Sequence, residues 1–272
     1  LRKSVAESNA WLAPNLMGKS KGTRSMASWD EDSVTMSVEA ARRLLGPEDD
    51  RSHVDNVFLA STTMPFADRL NSGIVRAALT LEESTQCTDI SSTLKCGTTA
   101  LINAISSVQS GKSNYSLVLS SDKRKSRVGS AQELDFGDAS AAIGISDNNI
   151  IAKVLATSSV SVDFVDHFRA PNEEFDYNWE ERWIRDEGYL KIIPKLINNL
   201  LKENDINPSE IKKFILPCIF PRVPQTISKI CGIDPENVVD NLALNVGDSG
   251  SAHPLLMLTH VLENAEPNEK IL

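Results

Sequence analysis

Apolar runs rich in β-branched residues alternate with amphipathic stretches along most of this chain, and that alternation limits its fold more than any other feature. A strand covered on both faces reads as a short continuous apolar run, whereas a helix lying on such a sheet repeats its apolar residues every three or four positions. Together the two patterns spell an α/β domain. Residues 32–45 form a helix that opens on Asp32 as cap and stops at Gly46-Pro47. Residues 57–62 read as a buried strand, residues 73–81 as a short helix, and the stretch around Cys87 as a polar connection. Residues 98–108, small and apolar all round, predict a buried helix, and residues 115–121 a central strand. Residues 139–145 and 150–155 predict a strand pair turning at Asp147-Asn148-Asn149.

A second half repeats the plan after a polar and aromatic insertion at residues 164–183. It predicts a helix over residues 186–203 kinked by Pro194, a strand over 213–217, and helices over 224–231 and 254–263. The expected organisation is one compact domain made of an N-terminal half, residues 1–149, and a C-terminal half, residues 150–272.

Composition narrows the function. With 28 Lys and Arg against 37 Asp and Glu, the net charge of −9 argues against nucleic-acid binding, which needs a basic surface. The short Lys123-Arg124-Lys125 run reads as a solvated turn. Four cysteines at irregular spacing make neither a disulfide framework nor a zinc site, and they fit a reducing cytoplasm. No apolar run reaches the roughly 18 residues a membrane span needs, and the first residues lack the apolar core of a signal peptide.

Two residues stand out chemically. Cys96 precedes Gly97 at the start of the buried helix, where unpaired N–H groups and the helix dipole favour a thiolate nucleophile. His253 lies in the Gly/Ser-rich loop of residues 245–254, which lets a backbone approach a ligand while the imidazole exchanges a proton. His260 reads as a packed or surface residue, His53 as exposed among Asp49, Asp50 and Arg51, and His167 as a loop residue; the four histidines offer no metal spacing. Gly137-Asp138-Ala139-Ser140-Ala141-Ala142 predicts a strand entry packed tightly on a neighbouring backbone. The aromatic and charged stretch of residues 179–189 reads equally as a partner-docking surface, a tunnel lining or a helix start.

Four segments in order, Leu94-Lys95-Cys96-Gly97-Thr98-Thr99-Ala100, Phe136 to Ala142, Ile215-Leu216-Pro217-Cys218 and Asn245-Val246-Gly247-Asp248-Ser249-Gly250, resemble the thiolase superfamily. The resemblance is to its branch of 3-hydroxy-3-methylglutaryl-CoA synthase and ketoacyl synthase III, and it runs over nearly the whole chain. It implies a thiolase-like duplicated αβαβα five-layered fold, here without its first strand and its C-terminal hairpin. Trp29-Asp30-Glu31-Asp32-Ser33 and the 179–189 stretch look like the synthase-like proteins that work with a small zinc-ribbon/OB-fold partner.

The implied chemistry is a cysteine acyl-enzyme formed from a CoA thioester, with no tightly bound cofactor or metal. Carried over residue by residue, it makes Cys96 the nucleophile and His253, in Ala252-His253-Pro254, its base. Asp248 and Asn245 orient the loop, and Cys218 is a further proton-transfer candidate. In these relatives the nucleophile stands two or three residues before the glycine, where this chain has Lys95 or Leu94, and the glutamate of the synthases falls at Thr62. The leading expectation is therefore a β-keto acyl-CoA thiolase acting with the zinc-ribbon partner, on an acyl-CoA that could be aromatic or otherwise unusual. A non-catalytic scaffold subunit and a 3-hydroxy-3-methylglutaryl-CoA synthase-like condensing enzyme are the alternatives. The resemblance also implies a homodimer paired through the strand at residues 115–121.

Overall fold

In the computed structural model, which describes residues 1–47 and 51–272, a short helix α1 (Arg2–Ser8) precedes the first long one, α2 (Ser33–Leu45). Asp32 caps α2 as its sequence demands: the carboxylate accepts from the Val34 and Thr35 amides, and the Thr35 hydroxyl reaches back to the Asp32 amide. Gly46, at φ +74°, ends the helix. There follow β1 (Asn56–Ala60), α3 (Asn71–Ala78), β2 (Gln86–Ile90), α4 (Cys96–Gln109), β3 (Tyr115–Asp122), α5 (Ala131–Asp135) and β4 (Ala139–Ser146). The four strands make one sheet in the order β2-β1-β3-β4, parallel except for β4, which runs antiparallel to β3.

Side-chain alternation along these strands builds two cores. Val57, Leu59, Leu117 and Leu119 face Val34, Val38, Ala41, Val75 and Leu79 of α2 and α3. The intervening residues Phe58, Ala60 and Val118 face Cys96, Ala100 and Ala104 of α4, together with Leu255. A sheet covered on both faces explains why these strands read as unbroken apolar runs. The polar stretch around Cys87 is nevertheless a strand: β2 lies at the sheet edge, so it has only one neighbour and tolerates Gln86, Thr88 and Asp89. β3 is hydrogen-bonded on both sides, by β1 and β4, so it has no free edge through which two copies could pair; the edges belong to β2 and β4.

The later elements are β5 (His167–Phe168), β6 (Tyr177–Asn178), the single turn α6 (Glu181–Trp183), a π-helical turn (Ile184–Tyr189), α7 (Leu190–Glu203), β7 (Ile211–Lys213), α8 (Val223–Ile230), α9 (His253–Leu262) and β8 (Lys270–Ile271). Their own core joins Ile197, Leu201, Ile211, Phe214, Ile227 and Ile233. Pro194 sits within α7, which remains helical. Residues 150–155 are not the expected second strand of a hairpin, because no neighbouring backbone pairs with them. β7 is likewise shorter than the predicted 213–217; beyond it Phe214 bridges Val238 and the Ile215 amide donates to the Leu272 carbonyl.

The chain divides into two compact units. The first unit contains Leu1–Ile151 and Leu242–Thr259; the second contains Ala152–Asn241 and His260–Leu272. Backbone bonds explain why the 242–259 segment belongs to the first: Thr23 donates to Leu244, Ser25 to Val246, and Gly137 to Asp248.

Close packing makes Gly97 indispensable. A Cβ on Gly97 would stand 2.3 Å from the Ser251 carbonyl oxygen and 2.9 Å from Ser120 Oγ. A Cβ on Gly18, by contrast, would meet no atom within 4 Å. Gly97→Ala is therefore expected to cost about 2–3 kcal/mol in urea unfolding, against less than about 1 kcal/mol for Gly18→Ala.

Candidate active site

Three chain segments converge at the carboxyl ends of β1 and β3: the turn after β1, the start of α4, and the loop that opens α9. Asp122, the last residue of β3, is fully buried and gathers them. Its Oδ1 accepts from Ser61 Oγ at 3.0 Å, the Thr62 amide at 2.7 Å, and the Thr62 and Thr63 hydroxyls at 3.1 Å each. Its Oδ2 accepts from the Ser251 amide at 2.7 Å. A buried carboxylate without such donors would be prohibitive, so the polar Ser61-Thr62-Thr63 turn and the small-residue loop are chemically matched to it.

Cys96 lies among Ala60, Ala100, Ala104, Val118 and Leu255 with no exposed surface. Burial, reinforced by the negative charge of Asp122, pushes its thiol up to about 12, while hydrogen bonds from the Ser251 side chain and the Gly97 amide pull weakly the other way. This overturns the expected thiolate: the helix start is in place, but desolvation outweighs its dipole. Ser251 Oγ also accepts from Ser120 Oγ at 3.3 Å, so Cys96, Ser251, Ser120 and Asp122 form one buried set.

His253, the first residue of α9, is buried as well. Its Nδ1 accepts from the Ser249 amide at 3.2 Å and lies 3.2 Å from Ser249 Oγ. Asp248 is joined to Arg124 at 2.7 Å and takes the Gly250 amide on its other oxygen at 3.0 Å. Burial pushes the Asp248 carboxyl up, but the Arg124 charge and hydrogen bond, helped by His253 and the Gly250 amide, outweigh it and hold the group below the usual carboxylate range. Arg124 also donates to the Asp248 carbonyl at 3.0 Å and lies 3.8 Å from the Phe136 ring centroid. The expected solvated turn at Lys123-Arg124-Lys125 is thus corrected: Arg124 is buried because it is the counter-ion of this loop.

The structure brings Cys96, Asp248 and His253 into one unit, with the 249–251 backbone between them. Asn245 is exposed and accepts from the Thr23 hydroxyl through its carbonyl. Cys218 belongs to the second unit, buried in the apolar cluster of Ile197, Phe214 and Ile227, with its carbonyl held by Asn241 Nδ2 at 2.7 Å. His260 and His53 are exposed, as expected, although Asp49 and Asp50 lie outside the described residues. His167 holds Asp166 through Nδ1 at 2.8 Å. The sequence alone assigns no role to Asp122 or Ser251; an acid and a base at the end of a strongly apolar strand were the available signal. Among the described residues no three His, Cys, Asp or Glu side chains gather into a metal site, and no helix is long and apolar enough to cross a membrane. A cavity of about 340 Å³ in the second unit, lined by Lys212, Lys213, Asn237 and His260 among others, contains none of these site residues.

The Arg124–Asp248 pair has a measurable signature. Arg124→Met leaves a partly buried carboxylate without its counter-ion and is expected to cost about 2–4 kcal/mol at pH 7. Because the folded carboxyl is held below its ordinary value, the pair's contribution is full above about pH 4 and fades as pH falls through the folded value. Urea titrations at falling pH should therefore show the gap between wild type and variant closing.

No family model matches the chain. It is 26% identical over 251 residues to the hydroxymethylglutaryl-CoA synthase of Methanopyrus kandleri, covering 92% of this chain and 71% of that protein. The 3-oxoacyl-(acyl carrier protein) synthase III of Pseudomonas aeruginosa superposes with a TM-score of 0.80 at 18% identity, over 97% of this chain and 84% of that one. Xanthomonas campestris OleA, with lauric acid and lauroyl-CoA bound, gives 0.80 at 15% identity over 99% and 88%. The mixed sheet and the buried helix beginning at Cys96 give the chain the thiolase-like α/β fold of these solved structures, and in sequence it is similar to hydroxymethylglutaryl-CoA synthase over 92% of its length.

Proposed function

We propose that this protein is an acyl-CoA C-acyltransferase of the condensing type, making or cleaving a carbon–carbon bond beside a thioester. The observation that carries the reading is the buried set of Cys96, Ser251, Ser120 and Asp122 at the strand ends, with the buried His253 two residues beyond Ser251, in a chain similar to hydroxymethylglutaryl-CoA synthase over 92% of its length. In the acyl-transfer step the Cys96 sulfur forms a bond to the thioester carbonyl carbon and the carbon–sulfur bond to CoA breaks. The thiol proton passes to the departing CoA sulfur, with His253 as the relay. Backbone N–H groups of the α4 start are the natural donors for the oxyanion. Coenzyme A enters as substrate; nothing in the scheme requires a resident cofactor.

A β-keto acyl-CoA thiolase working with a zinc-ribbon/OB-fold partner, as a homodimer in the cytoplasm, is the specific form we favour. Asp248 holds the His253 loop in this scheme. The sequence relatives favour a hydroxymethylglutaryl-CoA synthase-like reaction instead, although Thr62, which stands where the synthase glutamate falls, spends its hydroxyl on Asp122. One structural observation favours the scaffold reading: Cys96 is fully enclosed and its thiol is held protonated.

Incubation with acetyl-CoA and with lauroyl-CoA, followed by peptide mass spectrometry, separates these readings. Acyltransfer predicts one acyl group on the Cys96 peptide and none in Cys96→Ala; absence of any adduct, with turnover of a reconstituted complex unchanged in Cys96→Ala, establishes the scaffold. A standing thiolate from a thiol at about 12 would make adduct formation accelerate about tenfold per pH unit from pH 7 to 9, whereas relay through His253 predicts a rise of less than about threefold per unit. A full rise of about tenfold per unit would mean that the reaction runs through free thiolate and that His253 does not relay the proton.

A further inference from the structure

The aromatic insertion of the second unit is a built feature. β5 and β6 pair antiparallel, with His167 opposite Asn178 and Phe168 opposite Tyr177. Arg169 and Asp176 close the intervening loop through an ion pair at 2.7 Å, the Asp176 side chain almost completely buried. The Trp179 amide donates to the Asp166 carbonyl at 2.8 Å, which fixes the exit of the hairpin. The rings of Phe168 and Tyr177 stand 5.1 Å apart, and those of Tyr177 and Trp179 6.1 Å apart, as a continuous ladder. Phe164 and Trp183 stack beside it with their planes within 4°.

This ordered ladder remains half in water: Phe168 is 51% exposed, Tyr177 56%, Trp179 48% and Trp183 44%. A two-stranded hairpin is marginal by itself, and contiguous apolar rings held outward forgo burial that a core would provide. Tyr and Trp arranged in advance lose little side-chain entropy on contact, which is why they dominate binding surfaces.

Charge selects what covers them. Residues 163–187 carry nine Asp or Glu against three Arg, which is six of the chain's nine net negative charges. Asp163, Glu173, Glu174, Glu180 and Glu181 are exposed, while Arg169 is held by Asp176 and both Arg182 and Arg185 lie against Asp186. Carboxylates and the faces of aromatic rings both attract cations, and guanidinium groups satisfy both at once by stacking and hydrogen bonding. A second copy meeting this face symmetrically would set like charges against each other.

We propose that the face of the β5–β6 hairpin is a docking surface for a basic polypeptide partner, whose arginines lie over Phe168, Tyr177 and Trp179 and meet the surrounding carboxylates. The surface is independent of whether Cys96 takes an acyl group, so its test does not depend on turnover.

The full chain is titrated into a fluorescently labelled arginine-rich peptide that lacks aromatic residues, with a lysine peptide of equal charge in parallel, and anisotropy is followed. Three results are expected. The arginine peptide binds more tightly than the lysine peptide. Tyr177→Ala/Trp179→Ala, which leaves the charge unchanged, weakens binding about tenfold or more. Neutralising Glu173, Glu174, Glu180 and Glu181 to Gln does the same, whereas neutralising Glu82, Glu83, Glu203 and Glu263 to Gln changes affinity less than about threefold. Circular dichroism confirms that each variant is folded. Unchanged peptide binding by Tyr177→Ala/Trp179→Ala overturns the proposal, because the attraction is then general charge. Dissociation of a dimer by that variant, with no competition from the peptide, overturns it in favour of a second copy.

Discussion

The buried carboxylate of Asp122 is the constraint around which the first unit is arranged. Removing a carboxylate from water costs several kcal/mol, and the cost is tolerable only where donors replace the lost hydration. Here the donors come from two separate places in the sequence, Ser61 to Thr63 and Ser251, so satisfying the charge joins the end of β1, the end of β3 and the loop before α9. Arg124, two residues further on, then extends the same logic: its charge is matched by Asp248 from that loop and its plane rests on Phe136. An alternation of charge along the exit of β3, acid then base, therefore fixes a loop that lies more than a hundred residues away in the chain.

That arrangement decides the state of Cys96. A helix start offers a thiolate about 0.3–1 kcal/mol, and up to about 2 kcal/mol in partly buried sites. Raising a thiol from 9.0 to about 12 corresponds to about 4 kcal/mol against the thiolate. Desolvation and the adjacent Asp122 charge win. An acylating Cys96 must accordingly draw its reactivity from proton removal during the reaction, not from a standing thiolate, which places the burden on His253 and on access of the thioester to the α4 start.

How much of this was legible in the sequence follows from the range of each interaction. The Asp32 cap, the Gly46 stop and the apolar runs of β1 and β3 are local or periodic signals, and the helices and central strands appear where those signals lie. β2 was hidden because an edge strand need not be apolar, and residues 150–155 looked like a strand because composition reports propensity, not a partner. At the site, Cys96 and His253 were conspicuous as residue types, and the family pattern singled out Asp248. The thiol's protonation was not legible, since it depends on burial and on a carboxylate distant in sequence. Arg124 was misread for the same reason: a Lys-Arg-Lys run is a surface signal until one member finds a buried counter-ion.

The overall charge conceals a division between the two units. Removing the 25 residues of the aromatic insertion leaves a net charge of only −3 over the rest of the chain. In the first unit the charges at the centre are internally matched, Arg124 by Asp248 and Asp122 by neutral donors, so they contribute little field outside it. The hairpin's carboxylates are exposed and lie within a few residues of one another, so their fields add. Long-range attraction of a cationic partner is thus concentrated on the ring ladder, where short-range contact would also be strongest. Steering and adhesion then coincide on one small surface, and both would weaken with rising salt, although the aromatic contribution would persist after the carboxylates are screened.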